Sequence, residues 1–263
     1  MDHSNIQNII DLDAYPLEDD IFIESCKTKI NKNGVLTLPN FLNEKIIKYL
    51  VEEASDAQHM AFFSNSTHNV YLTKNNPEFG DHHIFNRQVV SSKGCITDDQ
   101  VPERSPLKTL YNSKIFRDFL ACVLGEQKLY EYADGMSSIN VHYASEGEEL
   151  GWHFDNSSFA ITLLLQAPDA GGSFEYVKDL RDAEAGEMNF EGVRSLLDGI
   201  TKPQFLKVEP GTLVLFRGKN SIHRVTPTIG NQTRILVVLA YNAKPGISLS
   251  KSAQMTFFGR TAD

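Results

Sequence analysis

The chain has 263 residues, with 25 Lys+Arg against 34 Asp+Glu and a formal charge of −9. This length carries one large domain or two small ones, with a core that needs no disulfide or metal staple. The acidic balance argues against a general binder of nucleic acid, whose phosphates require a Lys/Arg surplus. No apolar run is long enough to span a bilayer. The opening MDHSNIQNII lacks the basic-then-apolar pattern expected of a secretory signal. Cys26, Cys95 and Cys122 are too widely spaced for a disulfide framework or a thiolate zinc site. Reduced thiols and a cytoplasmic location are expected.

The first half reads as helices separated by irregular chain. Pro16–Asn33 has a helical set of apolar residues, and Gly34 follows as a stop. Asn43 is placed to cap a second helix with its stripe at Ile46, Ile47, Leu50 and Val51. Ser105-Pro106 opens a third, running to Gly125. Met60–Pro102 between them shows no clear period, and such long segments often carry function or move.

From Leu129 the pattern changes to short β-runs: Leu129–Ala133, Ser137–Tyr143, Gly151–Asp155, Phe159–Gln166, Ser173–Val177, Phe205–Val208, Thr212–Phe216, Ile222–Thr226, Arg234–Tyr241 and Gln254–Phe258. Turn signals separate them, as expected for a sandwich or barrel. The charged interruption Lys178–Pro203, with one helical candidate at Phe190–Leu197, reads as an insertion over one barrel end. No linker divides the chain, so 1–263 is expected to be one domain. Its first part, 1–128, gives helical support and cover, and 129–260 gives the barrel with the insertion 178–203.

His153 and Asp155 lie two apart at the end of a strand, on one face, with Phe154 on the other. His223 begins a later strand. If those strands are neighbours, two imidazoles and a carboxylate converge on one metal and leave its opposite positions open, the arrangement of non-haem Fe(II) oxygenases. Arg234 follows His223 by 234 − 223 = 11 residues. A guanidinium inside a barrel needs a carboxylate partner, which a dicarboxylic cosubstrate would supply. Tyr143, 153 − 143 = 10 residues before His153, is expected to join that grip, and His142 to point the other way.

These residues, in this order and strand context, resemble the 2-oxoglutarate- and Fe(II)-dependent dioxygenases of the double-stranded β-helix fold. The stretch YASEGEELGWHFDN is similar to the prolyl-hydroxylase-like branch. The longer string GWHFDNSSFAITLLLQAPDAGGSFEYV, with NRQVVSSKGC upstream and MTFFGR at the end, resembles the small standalone enzymes that halogenate or hydroxylate free amino acids such as lysine. The likeness covers about Ile10 to Arg260. It implies a mainly β fold with flanking helices, a jelly-roll or cupin-like barrel preceded by N-terminal helices. It implies Fe(II) on His153, Asp155 and His223, 2-oxoglutarate held by Arg234 and Tyr143, and O2, with ascorbate as auxiliary reductant. In the halogenases of that group a small residue replaces the carboxylate and frees a position for chloride. Asp155 is present here, so hydroxylation is expected.

By the same resemblance Arg87 is the candidate grip on a substrate carboxylate. Asn156 faces the substrate where relatives selecting a distal ammonium can place an acid. The expected substrate is a small polar molecule, a free amino acid first, with no nucleic acid or membrane partner. The same iron chemistry also serves desaturation, halogenation, or a peptide or nucleotide substrate. Two other classes fit part of the pattern: a non-redox metal- or ligand-binding barrel, and a zinc hydrolase with Glu175 as its base. Trp152 is expected to pack, His82 and His83 to be solvated or to cover the mouth, Gly171-Gly172 to form a hairpin or bulge, and Cys95 to be inert.

Overall fold

Asp19 accepts a hydrogen bond from the Phe22 N–H, and Gly34 closes the same helix at a left-handed φ of 73°. Between these caps runs α1 (Asp20–Asn33). The computed structural model describes residues 5–80 and 82–262, so Met1–Ser4 of the N-terminal reading lie outside the described residues. After α1 come β1 (Val35–Leu38) and α2 (Glu44–Ala57). Asn43 takes the N-cap position, but its amide donates to the Asn8 carbonyl instead of capping.

The segment Met60–Pro102 is where the structure departs most from expectation. It contains two long strands, β2 (Phe62–Asn69) and β3 (Gln88–Ile96), paired antiparallel along their length. The helix expected from Ser105 to Gly125 is two, α3 (Pro106–Asn112) and α4 (Lys114–Leu124). Ser113 is extended between them and its side chain accepts from the Phe116 N–H, so a new cap interrupts the ladder.

The second half supplies β4 (Ile139–Ala144), β5 (Leu150–His153), β6 (Ala160–Gln166), β7 (Ala170–Gly171) and β8 (Phe174–Val177). Then follow α5 (Phe190–Leu197), β9 (Gln204–Leu206), β10 (Leu213–Phe216), β11 (Ile222–Val225), β12 (Thr228–Ile229), β13 (Arg234–Leu239) and α6 (Lys251–Phe258). Two expected strands are absent. Leu129–Ala133 contributes only an isolated bridge, Tyr130 to Asn242. Gln254–Phe258 lies in α6, which Ser250 caps through the Ala253 N–H. A five-residue apolar run does not distinguish the two periods.

The main sheet is antiparallel and ordered β1-β10-β6-β13-β4-β3-β5-β11-β8-β9, with β2 on β3. It curls, because Val35, Val214 and Phe216 from one end meet Tyr176, Phe174 and Leu206 from the other in one apolar cluster. Period-2 alternation then separates two faces. Ile161, Leu163, Leu213, Leu215, Ile235, Val237, Val141 and Tyr143 face outward and pack on α1, α2 and α4 in the main core. Residues between them, including Thr162, His142, Arg234 and Leu236, face the concave side. The result is a mainly antiparallel half-barrel backed by helices, as the strand pattern implied.

Candidate active site

β5 and β11 are neighbours, and His223 pairs with His153 in their register. The two rings lie 4.1 Å apart. Asp155, just beyond β5, places Oδ1 3.6 Å from Nε2 of His153 and 3.6 Å from Nε2 of His223. One donor atom from each residue falls within 4.8 Å of the others. Among the described residues this is the one such group.

Three local features aim these atoms. His153 Nδ1 is 2.8 Å from the Gly151 carbonyl and His223 Nδ1 is 3.1 Å from the Ser221 carbonyl. A carbonyl accepts only, so each Nδ1 carries the proton and each Nε2 presents its lone pair inward. Burial pulls the His153 imidazole well below its ordinary pKa, and neighbouring His223 pushes the same way, which keeps the ligand form neutral. Asp155 Oδ2 is buried with no hydrogen-bond partner. A buried carboxylate oxygen left without a donor beside two inward lone pairs fits a cation, and the N/N/O set fits Fe(II).

Sequence reading missed the support behind His153. The Ser91 hydroxyl lies 2.6 Å from His68 Nε2 and accepts from the Gly151 N–H at 3.0 Å. His68 Nδ1 is 2.9 Å from the Asn69 carbonyl. Gly151 thus holds His153 by its carbonyl while Ser91 holds Gly151 by its N–H. Gly151 is required here, since a Cβ would stand 2.4 Å from the Val90 carbonyl oxygen.

The cofactor-side expectations need correction. Arg234 pairs with Ala144, Ile235 with Tyr143 and Leu236 with His142. Arg234 therefore shares its face with His142 and not with Tyr143. The Tyr143 hydroxyl donates to the Ala54 carbonyl of α2 at 2.7 Å, fully buried in the helix-side core. It cannot reach a ligand beside Arg234. His142 turns inward, with Lys93 Nζ 3.2 Å from its ring nitrogens. Burial lowers the His142 pKa well below its ordinary value, and Lys93 and Arg234 add to it. Burial likewise pulls the Arg234 guanidinium down to about 10. Gly172 leaves room for the Arg234 stem, which a Cβ would meet at 3.0 Å.

At the mouth, Arg87 is ion-paired with Asp198 and donates to the Leu197 carbonyl at 3.2 Å. The carboxylate and free carbonyl at the end of α5 occupy the guanidinium expected to grip substrate. Asn156 is exposed beside Asp155. Trp152 packs as expected, with the Arg224 guanidinium 4.8 Å above its ring. Glu175 is bound to Arg224 at 2.7 Å and pairs with it in register, on the opposite face from His223. It cannot serve as a base at the metal. His82 is exposed, whereas His83 stacks on Phe79 at 4.1 Å and meets Phe190 of α5 edge-on. Arg181, not anticipated from sequence, lies 4.1 Å over the Phe154 ring. Gly171 and Gly172 adopt φ of 65° and 57° around β7, as a tight bend requires. Cys26, Cys95 and Cys122 are free, and burial raises the Cys95 thiol to about 11, consistent with inertness. No helix among the described residues is long and apolar enough to cross a membrane.

Comparison with known proteins agrees with this geometry. No curated protein matches the chain. Similar solved structures include a 2OG-Fe(II) oxygenase family oxidoreductase from Burkholderia pseudomallei, with TM-score 0.52 and 13% identity over 86% of this chain and 93% of that one. A prolyl-4-hydroxylase from Pseudomonas putida matches with TM-score 0.50 and 14% identity over 82% and 96%. HygX from Streptomyces hygroscopicus, solved with nickel, 2-oxoglutarate and hygromycin B, matches with TM-score 0.53 and 12% identity over 86% and 89%. At these identities the likeness is one of fold. The family model described as Halogenase D matches residues 18–256. The chain belongs to that halogenase D family, and its fold is that of the 2OG-Fe(II) oxygenases and prolyl hydroxylases it resembles.

Proposed function

We propose that the protein hydroxylates an unactivated C–H bond of a small polar substrate, a free amino acid first, using Fe(II), 2-oxoglutarate and O2. The observation that carries this reading is the convergence of His153, Asp155 and His223, with Asp155 Oδ1 equidistant from both Nε2 atoms. His153 and His223 would hold iron through Nε2 and Asp155 through a carboxylate oxygen. Held there with 2-oxoglutarate, Fe(II) would supply the oxidising power from O2, the cosubstrate being converted to succinate and CO2, and ascorbate would serve as auxiliary reductant. Arg234 would take the far carboxylate of 2-oxoglutarate, since a half-buried guanidinium on the concave face with no ion-paired carboxylate among the described residues favours an anionic ligand.

Asp155 also favours hydroxylation over the halogenation in the family's name. Its carboxylate occupies the ligand position and adds negative charge where a halide would have to bind. Asn156, exposed beside it, is the substrate-facing candidate. The protein's part is geometric: to hold one C–H near the metal and keep water out. The contacts of Phe79, His83 and Phe85 with Phe190 of α5 support an assignment of those segments as cover. We read 1–263 as one oxygenase domain working in the cytoplasm.

The test is anaerobic spectroscopy of the Fe(II)–2-oxoglutarate protein, screening amino acids for a shift in the metal-to-ligand band, then product analysis with chloride present. A hydroxylated amino acid with succinate in step is expected, and Asp155→Ala should abolish it. A chlorinated product would overturn the hydroxylase reading. Silence across the common amino acids would redirect the substrate to peptides or nucleotides.

A further inference from the structure

β3 runs inward from the metal centre. Ser91 lies beside Gly151 and His68, next to the His153 ligand. Two residues deeper on the same face comes Lys93, and two deeper again Cys95, which pairs with His142. On β13, Leu236 pairs with the same His142 and Arg234 with Ala144. Stepping two residues back from the Cys95–His142–Leu236 row gives the row Lys93–Ala144–Arg234. Lys93 and Arg234 thus stand at one depth, two strand spacings or about 10 Å apart at the backbone. Between them Ala144 carries only a methyl group.

Among the described residues, no carboxylate forms an ion pair with Lys93 or Arg234. Lys93 Nζ has only the His142 ring nitrogens at 3.2 Å. Desolvation lowers the pKa of both cations; Lys93 also feels the Arg234 guanidinium, which lowers it further, and the Asp155 carboxylate, which offsets part of that without forming an ion pair. Two half-buried cations with no ion-pair partner among the described residues favour an anionic ligand placed between them.

We propose that Lys93 is a second carboxylate anchor, which with Arg234 brackets the distal carboxylate of the 2-oxo acid over Ala144, while His142 holds the lysine head group in place. This inference rests on the oxygenase reading and adds to it a residue outside the arginine grip. It makes the site selective for a dicarboxylic 2-oxo acid over a monocarboxylic one. Tyr143, whose hydroxyl is committed to α2, has no part in the grip.

The test is equilibrium binding to the anaerobic Fe(II) protein, by calorimetry and by the metal-to-ligand band, of 2-oxoglutarate and of pyruvate, which lacks the distal carboxylate. Wild type, K93M, K93Q and K93R are compared. Loss of one charged hydrogen bond corresponds to roughly 10- to 100-fold in affinity. K93M and K93Q should weaken 2-oxoglutarate by that factor and leave pyruvate unchanged, and K93R should restore most of the loss. Pyruvate binding also reports that each variant is folded and loaded. Unchanged 2-oxoglutarate affinity in K93Q, or equal loss for both acids, overturns the proposal. A wild-type protein that binds neither acid overturns the oxygenase reading itself.

Discussion

A Cβ on Gly218 would stand 1.8 Å from Oδ2 of Asp155, and the Gly218 carbonyl accepts the Asp155 N–H at 3.0 Å. Residue 218 must therefore be bare for the carboxylate to face the two imidazoles. Gly218→Ala should displace Asp155 and weaken Fe(II) or Co(II) binding by roughly 10- to 100-fold, the range for a residue that orients a ligand. Metal titration of the purified variant checks it, and affinity within twofold of wild type would remove Gly218 from the site.

Tyr143→Phe separates packing from ligand binding. Losing the hydrogen bond to the Ala54 carbonyl should cost about 1 kcal/mol of stability. The affinity for 2-oxoglutarate should not change. Urea unfolding and calorimetry measure the two effects. A variant of normal stability with weakened 2-oxoglutarate binding would return Tyr143 to the cofactor grip.

His142 gives the apoprotein a pH dependence of known sign. Its folded pKa lies well below its ordinary value because of burial, then Lys93, then Arg234. The unfolded chain, titrating near 6.5, binds more protons in the window between the two values. Stability contributed by this group is therefore full above about pH 6.5 and is lost as pH falls below it. His142→Gln should flatten the difference between unfolding curves at pH 5.5 and pH 7.5. An unchanged slope would mean that other groups carry it.

Glu175→Gln tests the hydrolase alternative. The carboxylate holds Arg224 above Trp152, away from the metal face. Succinate formation should stay within a factor of two, and stability within about 1 kcal/mol for a partly exposed pair. Loss of all turnover would mean that Glu175 reaches the reacting centre.

The fold was legible wherever strands are apolar on their helix-packed face or throughout. Ala160–Gln166 and Leu213–Phe216 announce themselves as buried runs, and His153-x-Asp155 reads as one-faced at the end of such a strand. β3 did not announce itself, because its inward residues Ser91 and Lys93 serve the site and give it the look of a polar loop. β2 pairs only with β3 and exposes Phe62 and Phe63, so alternation is absent there too. The inward choice between His142 and Tyr143 depends on the pairing of Arg234 with Ala144, and one residue of register reverses it. Arg87 looked available because its partner, Asp198, lies 198 − 87 = 111 residues away.

The two imidazoles belong to strands that touch in space but lie 223 − 153 = 70 residues apart, with the insertion 178–203 between them. A metal gripped by both would act as a removable rivet through the seam where β5 and β11 meet. Its binding energy would be available only where β5 and β11 are paired, so metal should raise the melting temperature by mass action. Cutting the chain within 178–203 should leave two pieces that stay together far better with the rivet in place than after chelation.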